Sequence, residues 1–216
     1  CGFLTVWLGH PHSNSAIWLP GMILMAELIV TSRYKRCIYA SITGILIALS
    51  FLGSHMETTF EITLAWFLYL MVRSFQVGGW KKVINNLWMA IFSVVLGLSV
   101  SAVQVFPFLE WLGTSVQLSE RSSVDFIPFF TGFWRNCLTL TTLVLPNLYG
   151  NPSQTSLYVN YLPWSNFNEM AIYVGIIPLV LGLYGMSLRE NKHIKIFTWG
   201  ALLFLALALR LPLIDW

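Results

Sequence analysis

Long apolar runs separated by short polar breaks organise this 216-residue chain. The first run extends from about Ala16 to Thr31 and is followed by Arg33, Lys35 and Arg36. A second, Cys37–Leu52, ends at the polar turn Gly53-Ser54-His55-Met56-Glu57, and a third continues from Thr58 to Val72. Arg73, the Gly78-Gly79 break and Lys81-Lys82 precede a fourth run, about Val83 to Leu109. A fifth, about Met170 to Leu188, and a sixth, about Ile196 to Leu211, flank the polar stretch Arg189–Lys195. Apolar runs of roughly 17–25 residues cross the hydrocarbon layer as helix. The runs are continuous rather than alternating, which excludes a transmembrane β-barrel. The pattern predicts an all-α, multi-pass transmembrane bundle of about six spans, forming one transmembrane region over residues 1–216.

Composition sharpens this reading. Hydrophobic residues make up 56% of the chain and charged residues 10%, against roughly 25% charged in a soluble domain. So much apolar surface is expected to face lipid. The chain opens at Cys1 without an initiator Met and stops at Trp216. It reads as an interior piece of a longer protein, with no signal peptide expected. Three widely spaced cysteines, Cys1, Cys37 and Cys137, suggest neither a disulfide framework nor a metal knot. A net charge of +3 is too small to imply nucleic acid.

The distribution of charge predicts a topology. Nine of the twelve Lys and Arg lie at Arg33/Lys35/Arg36, Arg73/Lys81/Lys82 and Arg189/Lys192/Lys195. Short cytoplasmic loops collect such residues. The three clusters share one side only if residues 110–169 make no net crossing. Phe126–Leu145 is apolar enough to imitate a span, but it carries Pro128, Gly132, Arg135 and Asn136. It is expected to lie as an interfacial or re-entrant helix within an extracytoplasmic loop, Glu110–Glu169.

The candidate chemistry then gathers on the outer face. His10, His12, His55 and Glu57 place three imidazoles and a carboxylate there. They could cap helix ends, contact a substrate phosphate or sugar, or hold a divalent metal such as zinc or manganese. Their spacing matches no known zinc motif. Glu57 is the candidate catalytic group; with Glu61, four residues on, it shares a helix face suited to acid–base work, the alternative being that Glu61 pairs with a polar group on a neighbouring helix. Glu27 is expected to pair with the nearby basic loop. In the outer loop, Asn147, Tyr149 and Asn151 offer amide and hydroxyl groups suited to sugar hydroxyls, and its many aromatics would form an interfacial belt or stack on sugar rings. No Walker loop, GxGxxG, HExxH or GxSxG occurs, which argues against an ATPase, dinucleotide enzyme, zinc protease or serine hydrolase.

Several of these stretches resemble, in order, the motifs of bacterial YfhO-type membrane proteins. They are Trp7–Asn14 with Trp18-Leu19-Pro20, Gly53–Thr58, Gln104–Pro107, Leu145–Pro152, and Asn168-Glu169 with Tyr173-Val174-Gly175. Met56 stands where the family usually has proline, and Ser54 precedes His55, so the second motif departs mildly. The resemblance implies a GT-C-like glycosyltransferase architecture working on the extracytoplasmic face of the bacterial cell membrane. It implies transfer of a sugar from a polyprenyl-phosphate donor to a cell-envelope polymer such as teichoic acid, in contact with membrane lipid and without nucleic acid. The principal catalytic carboxylate is implied to precede Cys1. His10, His12, His55 and Glu57 are then expected at the donor phosphate or an attending metal, and Asn147, Tyr149, Asn151 and Glu169 at the sugar. A flippase or transporter of lipid-linked sugars is the alternative, and a structural envelope scaffold a third; polarity gathered on one face, rather than along the spans, favours the enzyme.

Overall fold

The computed structural model describes residues 4–5, 7–114, 133, 136–150, 171–188 and 191–209. Among them every regular element is helical and no strand occurs. The chain divides into two compact units, Gly9–Val124 and Cys1–Leu8 joined with Asp125–Trp216.

The first unit opens with α1 (Pro11–Ala16) and α2 (Leu19–Thr31), each carrying proline in its first two positions, where a missing N–H costs no helical bond. Helix α3 (Arg36–Leu52) follows. It stops at Gly53 and at Ser54, whose φ of +72° is in the left-handed region; the Ser54 N–H donates to the Phe51 carbonyl at 3.0 Å. The polar turn predicted at Gly53–Glu57 is therefore a helix stop followed at once by a start. His55 is the N-cap of α4 (Met56–Val100), its Nδ1 accepting the Thr58 N–H at 3.1 Å.

Helix α4 runs for 45 residues, but two adjacent glycines inside it leave helical geometry: Gly78 (φ −152°, ψ 19°) and Gly79 (φ 60°, ψ −159°). The second of these conformations is open essentially to glycine alone. Here the chain turns back on itself. Asn86 Nδ2 donates to Ser74 Oγ at 2.7 Å, whereas residues twelve apart on a straight helix are separated by about 18 Å. Both arms of α4 accordingly pack on α3. Thr59 of the first arm bonds to Ser50, and Gly97 of the second faces Ile47 and the Gly44 carbonyl. A Cβ on Gly97 would sit 2.6 Å from Ile47 Cγ2 and 3.1 Å from the Gly44 carbonyl oxygen, and one on Gly44 2.8 Å from Leu96 Cδ2, so a side chain at either glycine would push α3 and the second arm of α4 apart. Ser101, buried, breaks the helix before α5 (Ala102–Thr114), which contains Pro107.

The core of this unit is Met22, Ala26 and Ile29 of α2, Ala40, Ile47 and Ala48 of α3, and Trp66, Leu70 and Ala90 of α4. Small residues and serines fill the closest contacts. Large apolar side chains such as Phe60, Ile84 and Trp88 point outward.

In the second unit, Leu140–Leu143 form a short 3₁₀ turn, and α6 (Ile176–Ser187) and α7 (Lys192–Ala208) pair with one another. Asn191 caps α7, its side chain accepting the His193 N–H at 2.9 Å. Lys192 and Lys195 thus belong to the first turns of a helix rather than to a loop.

The expectation of about six spans is corrected by these lengths. Among the described residues two helical stretches are long and apolar enough to cross a membrane, Pro11–Thr31 and Met56–Val100. The third and fourth runs are joined as the two arms of α4, which reverses at Gly78-Gly79, and α3, α6 and α7 hold only 17, 12 and 17 residues. At 1.5 Å per residue, α6 is only about 18 Å long, against a hydrocarbon layer of about 30 Å. Apolar content alone overcounts spans because it does not register where backbone hydrogen bonding stops. Most of the expected interfacial helix Phe126–Leu145 lies outside the described residues.

Candidate functional site

The two histidine-bearing motifs, more than forty residues apart in sequence, meet at one end of the first unit. The rings of His12 and His55 stack with centroids 3.6 Å apart and planes tilted by 32°. Beneath them lies a knot of small hydroxyl side chains. Ser15 Oγ donates to the Ser50 carbonyl at 3.0 Å and accepts the His55 N–H at 3.3 Å. Ser50 Oγ reaches the Ser15 carbonyl at 2.9 Å and Thr59 Oγ1 at 3.0 Å, and Thr59 Oγ1 is also 3.0 Å from the carbonyls of Ser50 and His55. Ser15, Ser50 and Thr59 are all fully buried. Such reciprocal bonding satisfies polar groups that apolar surroundings would otherwise leave costly.

Gly53 makes the approach possible. A Cβ there would lie 2.9 Å from backbone atoms of Asn14 and Ser15, so any side chain at this position would push the motifs apart. His10 is the extended N-cap residue of α1, preceding Pro11. Glu57, exposed, sits in the first turn of α4, where a carboxylate complements the helix dipole.

Local hydrogen bonding assigns a proton. His55 Nδ1 accepts from Thr58, so in the neutral ring the proton is on Nε2, which is left as the donor. Part of the imidazole is thus committed to capping the helix. The predicted metal set does not assemble: among the described residues no three His, Cys, Asp or Glu side chains come together as ligands. Stacked faces bring the rings of His12 and His55 together without converging a third ligand on them. What the cluster offers instead is an imidazole donor and a carboxylate acceptor beside exposed chain.

Asn147 and Tyr149 belong to the second unit. The Asn147 carbonyl accepts the Gly150 N–H at 3.0 Å, closing a turn in which Gly150 has φ +90°. The Tyr149 hydroxyl donates to the Leu138 carbonyl at 3.1 Å and lies 3.1 Å from Thr141 Oγ1, tying that turn to the segment before it. Asn151 and Glu169 lie outside the described residues.

The opposite end of the first unit is basic. Arg73 donates to both carboxylate oxygens of Glu27, Nε to Oε2 at 2.8 Å and Nη2 to Oε1 at 2.9 Å, and the Tyr69 hydroxyl adds a third bond to Oε2 at 3.2 Å. Glu27 therefore pairs with α4 and not with the Arg33–Arg36 loop next to it. Arg36 bonds to the Asn86 amide, which continues through Ser74 to the Leu70 carbonyl. Sequence reasoning did not single out Ser15, Ser50, Thr59 or Ser74. Their only signal is a small polar residue inside an apolar run, and which of these find partners is decided by packing.

Compared with known proteins, the chain matches no family model, no curated protein and no solved structure.

Proposed function

We propose that the protein is a bacterial cell-membrane glycosyltransferase similar to the YfhO-type proteins, transferring a sugar from a polyprenyl-phosphate donor to a cell-envelope polymer on the extracytoplasmic side. The observation that carries this reading is the meeting of its first two motifs: His12 and His55 lie ring against ring, with Glu57 in the same turn. The two helical stretches long and apolar enough to cross a membrane support a lipid-embedded protein. The charge distribution supports the orientation. From Met56 at the histidine end to Arg73 at the basic end is about 26 Å along the helix, close to the thickness of the hydrocarbon layer. Positive residues mark the cytoplasmic side, which leaves the histidine end facing outward.

In this reading the His55 Nε2–H donates to an anionic phosphate oxygen of the donor, and Glu57 accepts from a hydroxyl group of donor or acceptor. Binding and orientation of a phosphate ester beside the membrane surface is the part of the reaction these residues perform.

The test follows sugar transfer from a radiolabelled polyprenyl-phosphate sugar by the full chain in membranes. Wild type is expected to transfer label, with His55→Ala and Glu57→Gln losing most of it while inserting normally. Unchanged activity in both variants would make the turn purely architectural, and no transfer by wild type with any common donor would refute the enzymatic reading in favour of a transporter.

A further inference from the structure

We propose that the basic end of the first unit is a binding surface for anionic phospholipid headgroups, built by the reversal in α4. The cations come from two places distant in sequence. Arg33 and Lys35 lie between α2 and α3, and Lys81 and Lys82 follow the Gly78-Gly79 turn. Folding puts both groups at one end, because Arg36 at the start of α3 bonds to Asn86 of the second arm of α4, and Asn86 to Ser74 of the first.

Charge there is left uncompensated. Of the described acidic residues in this unit, Glu57 and Glu61 are at the histidine end and Glu110 is on α5. Glu27 is the acidic residue at the basic end, and its two oxygens are taken by Arg73 and Tyr69. Arg33, Lys35 and Lys81 are exposed and Lys82 half-buried, and the acidic residues of α4, Glu57 and Glu61, stand at the far end of its first arm.

A second feature selects a lipid surface over a free anion. Exposed aromatics stand among the cations: Tyr34 is 86% and Trp80 71% exposed. The Arg33 guanidinium lies over the Tyr34 ring at 5.6 Å, and Trp80 meets Phe75 edge-on at 5.4 Å. Amphipathic rings beside Lys and Arg suit the headgroup layer, where one part is apolar and the other wet. A site for a small soluble anion would enclose its cations; here they are spread and outward. Juxtamembrane cations of this kind attract anionic lipid.

This inference rests on the membrane reading above, but not on sugar transfer. The experiment reconstitutes the full chain in phosphatidylcholine bilayers and measures, with spin-labelled lipids, how strongly phosphatidylglycerol associates relative to phosphatidylcholine. Wild type is expected to prefer the anionic label about two- to fivefold, with the preference falling toward one in 1 M salt, where screening reaches about 3 Å. The variant Arg33→Gln/Lys35→Gln/Lys81→Gln/Lys82→Gln is expected to lose the preference while holding the same amount of motionally restricted lipid. Equal association of both labels with wild type overturns the proposal, as does a preference that survives the fourfold substitution. Complete displacement by millimolar inorganic phosphate overturns it in favour of a free-anion site. Absence of any motionally restricted lipid overturns the membrane reading along with it.

Discussion

Removing the carboxylate of Glu27 tests how the first unit is held together. Its side chain is 24% exposed and that of Arg73 12%, so the pair is largely but not wholly withdrawn from solvent. Glu27 accepts two bonds from Arg73 and one from Tyr69. In Glu27→Ala the guanidinium keeps a contact with Gln76 Oε1 at 3.3 Å. Breaking a buried pair by deleting one partner costs about 3–5 kcal/mol, because the remaining charge is stranded. The residual exposure of Glu27 lets water reach the site, which places the expected loss near the lower end, about 3 kcal/mol. Replacing both partners strands nothing, so Glu27→Leu/Arg73→Leu is expected to lose less than about 1 kcal/mol. The coupling is therefore about 2 kcal/mol or more, well above that of an exposed ion pair, about 0–1 kcal/mol. Reversible unfolding of the full chain in mixed micelles of rising dodecyl sulfate fraction, followed by circular dichroism, measures Glu27→Ala, the single variants Glu27→Leu and Arg73→Leu, and the double Leu variant. A loss under about 0.5 kcal/mol for Glu27→Ala, or strictly additive substitutions, would refute the reasoning.

Two further outcomes depend on backbone geometry. Gly79→Ala forces a side chain into a conformation reserved for glycine (φ 60°, ψ −159°) and is expected to cost about 1–3 kcal/mol in the same unfolding assay; wild-type stability would mean that the reversal does not need this geometry. Gly53→Ala places a Cβ 2.9 Å from backbone of Asn14 and Ser15 and is expected to cost about 1–3 kcal/mol by overpacking. A Gly53→Ala protein as stable as wild type would show that the two motifs are not in close contact.

How much of this was legible beforehand differs from element to element. The Gly53–Glu57 turn was, because a glycine and a run of polar residues between apolar stretches has one economical solution, a helix stop and start. The Gly78-Gly79 break was visible as a break, and the basic clusters as clusters. The number of spans was not: apolar composition continues through residues where the helix is too short, as in Ile176–Ser187, or reverses inside one element. Hydrophobicity is a sum over residues, whereas helix length depends on where backbone hydrogen bonds end.

The candidate site divides in the same way. By itself the sequence determined the helical class, the placing of basic residues in clusters apart from the histidine motifs, and the residue types available for chemistry, since all three are properties of local composition and spacing. Tertiary structure alone decided that His12 stacks on His55, that Ser15, Ser50 and Thr59 bond beneath them, and that Glu27 selects Arg73 over the nearer arginines. Each of those contacts joins residues from different helices or from either side of a turn. Their partners are fixed by which small side chains let the backbones approach, as at Gly53 and Gly97, and such close approach is a property of the packed helices together, beyond any one stretch of chain.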